Sequence, residues 1–256
     1  MRGAAYLSGL ADAMVVDVGG TTTDVGQLKN GFPREANSVV KVGGVRTLFR
    51  MPDLLSIGLG GGSHVQLDPL KVGPISVGYR LLRDGIAFGG KQLTTTDVAI
   101  AAGVLTLGDR AKVAHLDAAT CKKVFAEAAR LSEEAIDRMK TEAGDVPLIA
   151  VGGGAFLIPE KLPGVSKVIH VQHGDCANAV GAAIAQVSGD CDQIFKDMTR
   201  NEALAAAQGI ANDRAVAAGA ERKTLSTIES EDMPLAYLPG NSVRVRVRVV
   251  GDVAGS

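Results

Sequence analysis

The chain has 256 residues, enough to bury a substantial core in one large domain or two small ones. Charged residues make up 21% and the net charge is −1, so no electrostatic field directs the protein to DNA, RNA or an anionic membrane. Aromatic residues are only 4%, too few for base-stacking platforms. The three cysteines (Cys121, Cys176 and Cys191) lack a CxxC spacing, which argues against a disulfide framework and fits a reducing cytoplasm. The first residues lack the basic segment and apolar stretch of a secretory signal and no apolar run approaches the length needed to span a bilayer, so the expectation is a cytoplasmic protein.

In chain order, Gly3–Leu10 reads as the last turns of a helix. Met1 carries no capping signal before it, so the chain reads as a fragment that starts inside an element. Ala13–Val18 is a short apolar run of buried-strand type. Gly19-Gly20 turns it into a returning strand, Thr23–Lys29, which Asn30-Gly31 closes as a hairpin. Glu35–Val42 is a third strand ending at Gly43-Gly44. From Val45 to about Ala114 the pattern is irregular, with one short helix near Asp97–Leu107. Asp117–Ala143 is the clearest helix, with Cys121, Val124, Phe125, Ala128, Leu131, Ala135, Ile136 and Met139 along one face and Gly144 at its end.

Val146–Val151 is a strand that runs into Gly152-Gly153-Gly154, and Lys167–Val171 is another. Asp175–Val187 is expected to be a small-residue helix, and Gln193–Ala218 a longer one with a break at Gly209. Ser242–Val250 alternates Val and Arg with period two, a half-exposed strand whose arginines face solvent rather than nucleic acid.

The strongest chemical signal is Asp17-x-Gly19-Gly20-Thr21-Thr22-Thr23-Asp24. Glycines give phosphate oxygens unobstructed access to backbone N–H groups. The hydroxyls of Thr21, Thr22 and Thr23 add donors to the β- and γ-phosphates. Asp17, at the carboxyl end of a strand, can hold Mg²⁺ through water or orient a nucleophile, and Asp24 can brace the turn or join the Mg²⁺ water shell. This is a phosphate-binding hairpin, and ATP is the expected ligand. Other candidates are weaker. Gly58-x-Gly60-x-x-Ser63 lacks the strand, helix and distal acid of a dinucleotide fingerprint. His170, His173 and Cys176 have metal-capable side chains in the wrong period, and His64 with Asp68 has only proximity to recommend it. Thr94-Thr95-Thr96-Asp97 reads as a helix N-cap. Arg46 and Arg50 have the charge to pair with an anionic substrate.

The Asp17–Asp24 segment resembles the second phosphate motif of the actin, sugar-kinase and heat-shock ATPase superfamily. Val151–Pro159 is similar to its adenosine motif, in which Gly152, Gly153 and Gly154 let the nucleotide lie against the backbone. Gly3–Leu10 and Ala177–Ala183 resemble its two connecting helices, whose small residues permit a close crossing. More narrowly, Asp17–Gly26, Gly43–Thr47, Met51-Pro52-Asp53, Ser56–Ser63, Thr96-Asp97 and Pro234–Gly240 resemble the hydantoinase A and 5-oxoprolinase family, and specifically its C-terminal half.

The resemblance implies an α/β fold: a ribonuclease-H-like mixed-sheet lobe with an inserted α+β subdomain. The expected division is a nucleotide-binding core at 1–44 and 145–190, an insertion at 45–144, and a C-terminal helix and strands at 191–256 that pack on the core. It also implies ATP- and Mg²⁺-dependent phosphorylation of a cyclic amide or ketone carbonyl, leading to ring opening or carboxylation. The expected partners are the missing N-terminal lobe and, in those members of the family that use one, a B-type subunit, with no nucleic acid and no membrane. A small-molecule kinase and an ATP-switched binding module are the alternatives within the superfamily. The Ser56–Ser63 loop is open between an anion nest facing phosphate or substrate and a purely structural turn.

Overall fold

The computed structural model describes residues 1–36, 40–42, 45–47, 52–235 and 238–254. These fall into two units, Met1–Ala183 and Ile184–Ser256. Gly43-Gly44, Arg50, Met51 and Ala236-Tyr237 lie outside the described residues, as does the side chain of Arg46.

In the first unit, helix α1 (Arg2–Ser8) closes at Gly9 in the left-handed conformation. The apolar run follows as β1 (Ala13–Val18), in which every residue but Asp17 is buried. Its neighbour is β2 (Thr23–Lys29), antiparallel, with Asp17 opposite Asp24 and Val18 opposite Thr23. Asn30 and Gly31, both at positive φ, return the chain into β3 (Phe32–Pro33). The short strands β4 (Val40–Val42) and β5 (Val45–Thr47) pair with each other. β6 (Leu54–Ile57) pairs with the Thr23–Gly26 part of β2. A separate hairpin, β7 (Ser63–Leu67) and β8 (Leu70–Ser76), leads to α2 (Leu81–Asp84), α3 (Thr95–Ala101) and α4 (Ala118–Met139). Then β9 (Val146–Val151) and β10 (Val165–His170) join β1 in parallel, and α5 (Ala177–Ala183) ends the unit. The result is a mixed sheet in the order β10-β9-β1-β2-β3, with β6 also on β2. This is the mixed-sheet, ribonuclease-H-like α/β lobe expected from the sequence.

Strand alternation sorts the two faces of this sheet. Met14, Val16, Val18, Val25, Leu148 and Ala150 pack with Val124, Ala128, Ala135, Ile136 and Met139 of α4. Val15, Leu28, Ile149 and Val151 pack with Ala4 and Ala5 of α1 and Ala177 of α5. Helix α4 is capped by Asp117, whose carboxylate accepts from Thr120 N at 2.6 Å. It stops at Lys140 rather than Gly144, because Met139 is the last buried residue of its apolar face and Lys140 is already extended. The amine of Lys140 donates to the Gly164 carbonyl at 2.9 Å.

The second unit contains β11 (Val187–Phe195), α6 (Arg200–Ala217), β12 (Ser226–Pro234) and β13 (Val243–Gly251), with strand order β11-β13-β12. Two helix expectations are corrected here. The helix expected over Asp175–Val187 is only α5, after a 3-10 turn at Gly174–Cys176, and Val187 opens a strand. Gln193 also lies in that strand, so α6 starts later, at a capping box formed by Thr199 and Glu202. It continues through Gly209 without a break. The row Ala203, Ala207, Ala211 and Ala215 is fully buried, and its packing outweighs the roughly 1 kcal/mol cost of an exposed helical glycine. On β13, Val243, Val245, Val247 and Val249 face this row, as the alternation predicts. Arg244 on the opposite face pairs with Asp192 at 2.8 Å and Arg246 with Glu229 at 3.2 Å.

Helices α1 and α5 cross closely. A methyl group on Gly3 would fall 1.8 Å from the Ala177 carbonyl oxygen and 2.8 Å from Gly181 N. Gly3→Ala is therefore expected to cost about 1–3 kcal/mol in chemical denaturation, whereas Gly144→Ala, with open space around it, changes the midpoint little.

Candidate functional site

β1 and β9 run parallel and both end in glycine turns, so their carboxyl ends lie side by side at one end of the sheet. Ligands of α/β sheets bind at this end of the strands. Asp17 is the last side chain of β1 on the α1 face and is half-buried. Directly opposite on β2 stands Asp24, on the same face because paired residues of antiparallel strands share one. The Asp24 carboxylate accepts a hydrogen bond from Ser56 Oγ on β6. Burial lowers the pKa of the Met1 amino group, and the charge of Asp17 partly opposes this.

The turn itself is closed by Gly19 N donating to Thr22 O at 2.9 Å. Gly20, Thr21 and Thr22 are exposed. Thr23 differs from the sequence expectation that all three hydroxyls face a phosphate. It is fully buried, and its Oγ1 donates to the Leu59 carbonyl at 2.7 Å. Its hydroxyl therefore fastens the hairpin to the next loop, leaving Thr21 and Thr22 to face outward.

That next loop, Leu59 to Ser63, is buried against the turn. Gly61 N donates to Gly19 O at 3.0 Å and Gly62 N to Gly20 O at 2.7 Å. A methyl group on Gly60 would fall 2.7 Å from both Gly19 O and Thr21 N. The N–H groups of Gly61 and Gly62 are thus committed to the hairpin, and the loop is a buttress for the turn. Helix α3 holds the buttress from behind. Thr95 Oγ1 donates to the carbonyls of Gly60 and Gly61 at 2.5 and 2.8 Å, and Thr96 Oγ1 to Gly61 O at 2.7 Å. The expected N-cap is present, as a capping box formed by Thr94 and Asp97, and Asp97 also accepts from Ala87 N at 2.7 Å. The sequence reading explained this segment by capping alone. One hydroxyl suffices for a cap, so three successive threonines were a signal of a second task.

The triple glycine packs on the end of β1. Gly152 has φ 89° and donates through its N–H to Gly174 O at 2.9 Å. A methyl group there would fall 2.3 Å from Val18 O and 2.6 Å from Asp17 Oδ1. Gly154 N donates to Val18 O at 2.8 Å. Gly153 is exposed with nothing within 4 Å of the position a Cβ would take. The structure therefore brings Asp17, Asp24, Gly20, Thr21, Thr22 and Gly153 to one end of the sheet. Gly152 and Gly154 serve the packing that makes this possible.

Mg²⁺ binds one or two carboxylates and completes its shell with phosphate oxygens and water; Asp17 and Asp24 are cross-strand partners of that type, Asp17 turned toward Gly152 and Asp24 held by Ser56. Among the described residues no group of three or more His, Cys, Asp or Glu is arranged to hold a metal. His170, His173 and Cys176 are exposed. Cys121 and Cys191 are buried, and burial raises both thiol pKa values, which makes them poor nucleophiles. In the second unit, Pro234, Leu235, Leu238 and Gly240 border a cavity of about 510 Å³ beside the start of α6.

Residues 1–143 match the profile of the hydantoinase/oxoprolinase family. No curated protein matches the chain. Among solved structures, the chain is similar to a nucleotide-free acetone carboxylase described as carrying out ATP-dependent acetone carboxylation. The identity is 18% and the TM-score 0.65, covering 97% of this chain and 48% of that one. It is also similar to the ATP-dependent caprolactamase from Pseudomonas jessenii, at 18% identity and a TM-score of 0.68, covering 98% of this chain and 48% of that one. At this identity the likeness shows the fold. The chain spans about half the length of these two structures.

The buttress is open to a direct test. Thr95→Val removes the hydroxyl and leaves the shape, and is expected to cost about 0.5–1.5 kcal/mol, because the Gly60 and Gly61 carbonyls lose one donor and keep Ser63 N and Thr96 N. Amide exchange at Gly61 and Gly62 should accelerate with it. Thr22→Val, at an exposed position, should change neither quantity.

Proposed function

The chain belongs to the hydantoinase/oxoprolinase family, and we propose that it supplies the ATP-binding part of an enzyme that activates a cyclic amide or ketone carbonyl by phosphorylation. The observation that carries this reading is the convergence of Asp17, the exposed Gly20–Thr22 turn and Gly153 at the carboxyl ends of β1 and β9.

Backbone N–H groups of the turn and the hydroxyls of Thr21 and Thr22 donate to the β- and γ-phosphate oxygens. Thr23 acts one step back by holding the turn on Leu59. The adenosine lies over Gly153, where the backbone is open. Asp17 would hold Mg²⁺, with Asp24, kept in place by Ser56, completing the acidic face. The metal ion supplies neutralisation of phosphate charge. Phosphoryl transfer depends mainly on such positioning and charge compensation, so a rigid turn with fixed donors is suited to it. The carbonyl oxygen of the substrate attacks the γ-phosphorus and ADP departs. For a cyclic amide, water then adds to the carbon that bears the phosphorylated oxygen, the ring C–N bond breaks and inorganic phosphate leaves; for a ketone, loss of an α-proton gives an enol phosphate, whose carbon bonds to carbon dioxide as water takes up the phosphoryl group.

Because the matched structures are about twice as long, the cleft is completed by a further lobe of the same protein, with or without a B-type subunit. The setting is the cytoplasm; among the described residues no helix is long and apolar enough to cross a membrane. The chain alone is expected to bind ATP weakly and to turn over no substrate.

Calorimetric titration with ATP, with and without Mg²⁺, tests the site. Binding should strengthen with Mg²⁺, and Asp17→Asn should remove most of that gain, about tenfold in affinity. Phosphate release dependent on a lactam, a hydantoin, 5-oxoproline or acetone, measured with the completing lobe present, tests the chemistry. Ring opening that proceeds equally well without ATP would refute it.

A further inference from the structure

The turn after β8 closes another side of the phosphate hairpin. Ser76 Oγ donates to Gly20 O at 3.2 Å and accepts from Gly78 N at 3.0 Å. Val77 N donates to Gly62 O at 2.9 Å. Gly78 is in the left-handed region at φ 56°, and a methyl group on it would stand 3.7 Å from Thr21 Oγ1. The hairpin tip therefore has two distinct flanks. The triple glycine lies against Val18 and Gly19, while Ser76–Gly78 lies against Gly20 and Thr21. On the reading that the adenosine lies over Gly153, the Thr21 and Gly78 flank is the one left for the terminal phosphate.

Arg80 ends the 3-10 turn that begins at Gly78. It shares the Asp84 carboxylate with Arg83, and the two contacts are unequal. Arg83 engages both oxygens, at 2.7 and 3.2 Å, whereas Arg80 Nε stands 3.4 Å from Oδ2. The hydrogen bond from Arg83 is the chief cause that holds the Asp84 carboxyl below the usual carboxylate range. Two guanidinium groups on one carboxylate leave a net positive charge on the turn and helix that follow Gly78. The more loosely held of the two is about half exposed, at 47%. A planar guanidinium is well matched to phosphate oxygens.

We propose that Arg80 is a ligand of the terminal phosphate of ATP, reaching it from the Gly78 flank of the hairpin. This rests on the reading of the hairpin as a phosphate site. Its signature is discrimination between ATP and ADP, which differ only in that group.

The test is calorimetric titration of the unchanged chain, Arg80→Ala and Arg80→Gln with Mg-ATP and Mg-ADP. The expected result is a loss of about tenfold in ATP affinity in both variants, with ADP affinity within twofold of the unchanged chain. The retained ADP affinity shows that each variant is folded, and Arg80→Gln keeps much of the side-chain stem. Equal weakening for both nucleotides, or no change for either, would overturn the role of Arg80 and leave the hairpin reading standing. Binding of neither nucleotide by the unchanged chain would overturn both.

Discussion

Two backbone hydrogen bonds, from Gly61 N to Gly19 O and from Gly62 N to Gly20 O, hold the rest of the candidate site together. A glycine turn at the end of a strand is by itself conformationally loose, because glycine loses more entropy on ordering than any other residue. Here the turn is fixed by a second glycine segment laid against it at a distance no side chain permits. That segment is in turn fixed by the hydroxyls of Thr95 and Thr96 on a capped helix. Each layer satisfies the carbonyls of the one before it, so the tip can be rigid while its outward N–H groups and hydroxyls remain available. Preorganised donors of this kind are what phosphate binding requires.

The same logic explains why the glycines divide into two kinds. Gly60, Gly152 and Gly154 exist for close approach of backbones, and a methyl group at any of them would overlap the end of β1 or its turn. Gly20 and Gly153 have open space around them. Only the second kind can face a ligand, and they lie at the ends of two adjacent parallel strands. Of these five glycines, three build the site and two present it.

Much of this was legible in the sequence. The Ala13–Lys29 hairpin, the apolar face of α4 and the Val/Arg alternation of β13 follow from local periodicity, and the structure has all three. The close crossing of α1 and α5 was expected from their small residues, and Gly3 meets Ala177 there. What was not legible depended on contacts distant in sequence. Nothing local distinguishes Thr23 from Thr21, yet pairing with Val18 turns one inward and Leu59, remote in the chain, receives its hydroxyl. The double role of Thr95 and Thr96 needed the Gly60 loop beside them. The start of α6 was misread because the buried alternation of Gly189 and Cys191 stops before Gln193, which stays in the strand through its pairing with Val245 of β13.

The central claim is that the exposed face of the turn, and not its buttress, meets the phosphates. Backbone amide NMR during titration with Mg-ATP tests it most directly. The resonances of Gly20, Thr21, Thr22 and Gly153 should move in a saturable way, while Gly61 and Gly62, already committed to the hairpin carbonyls, should shift far less. Movement confined to Gly61 and Gly62, or no saturable change at the turn, would contradict this account.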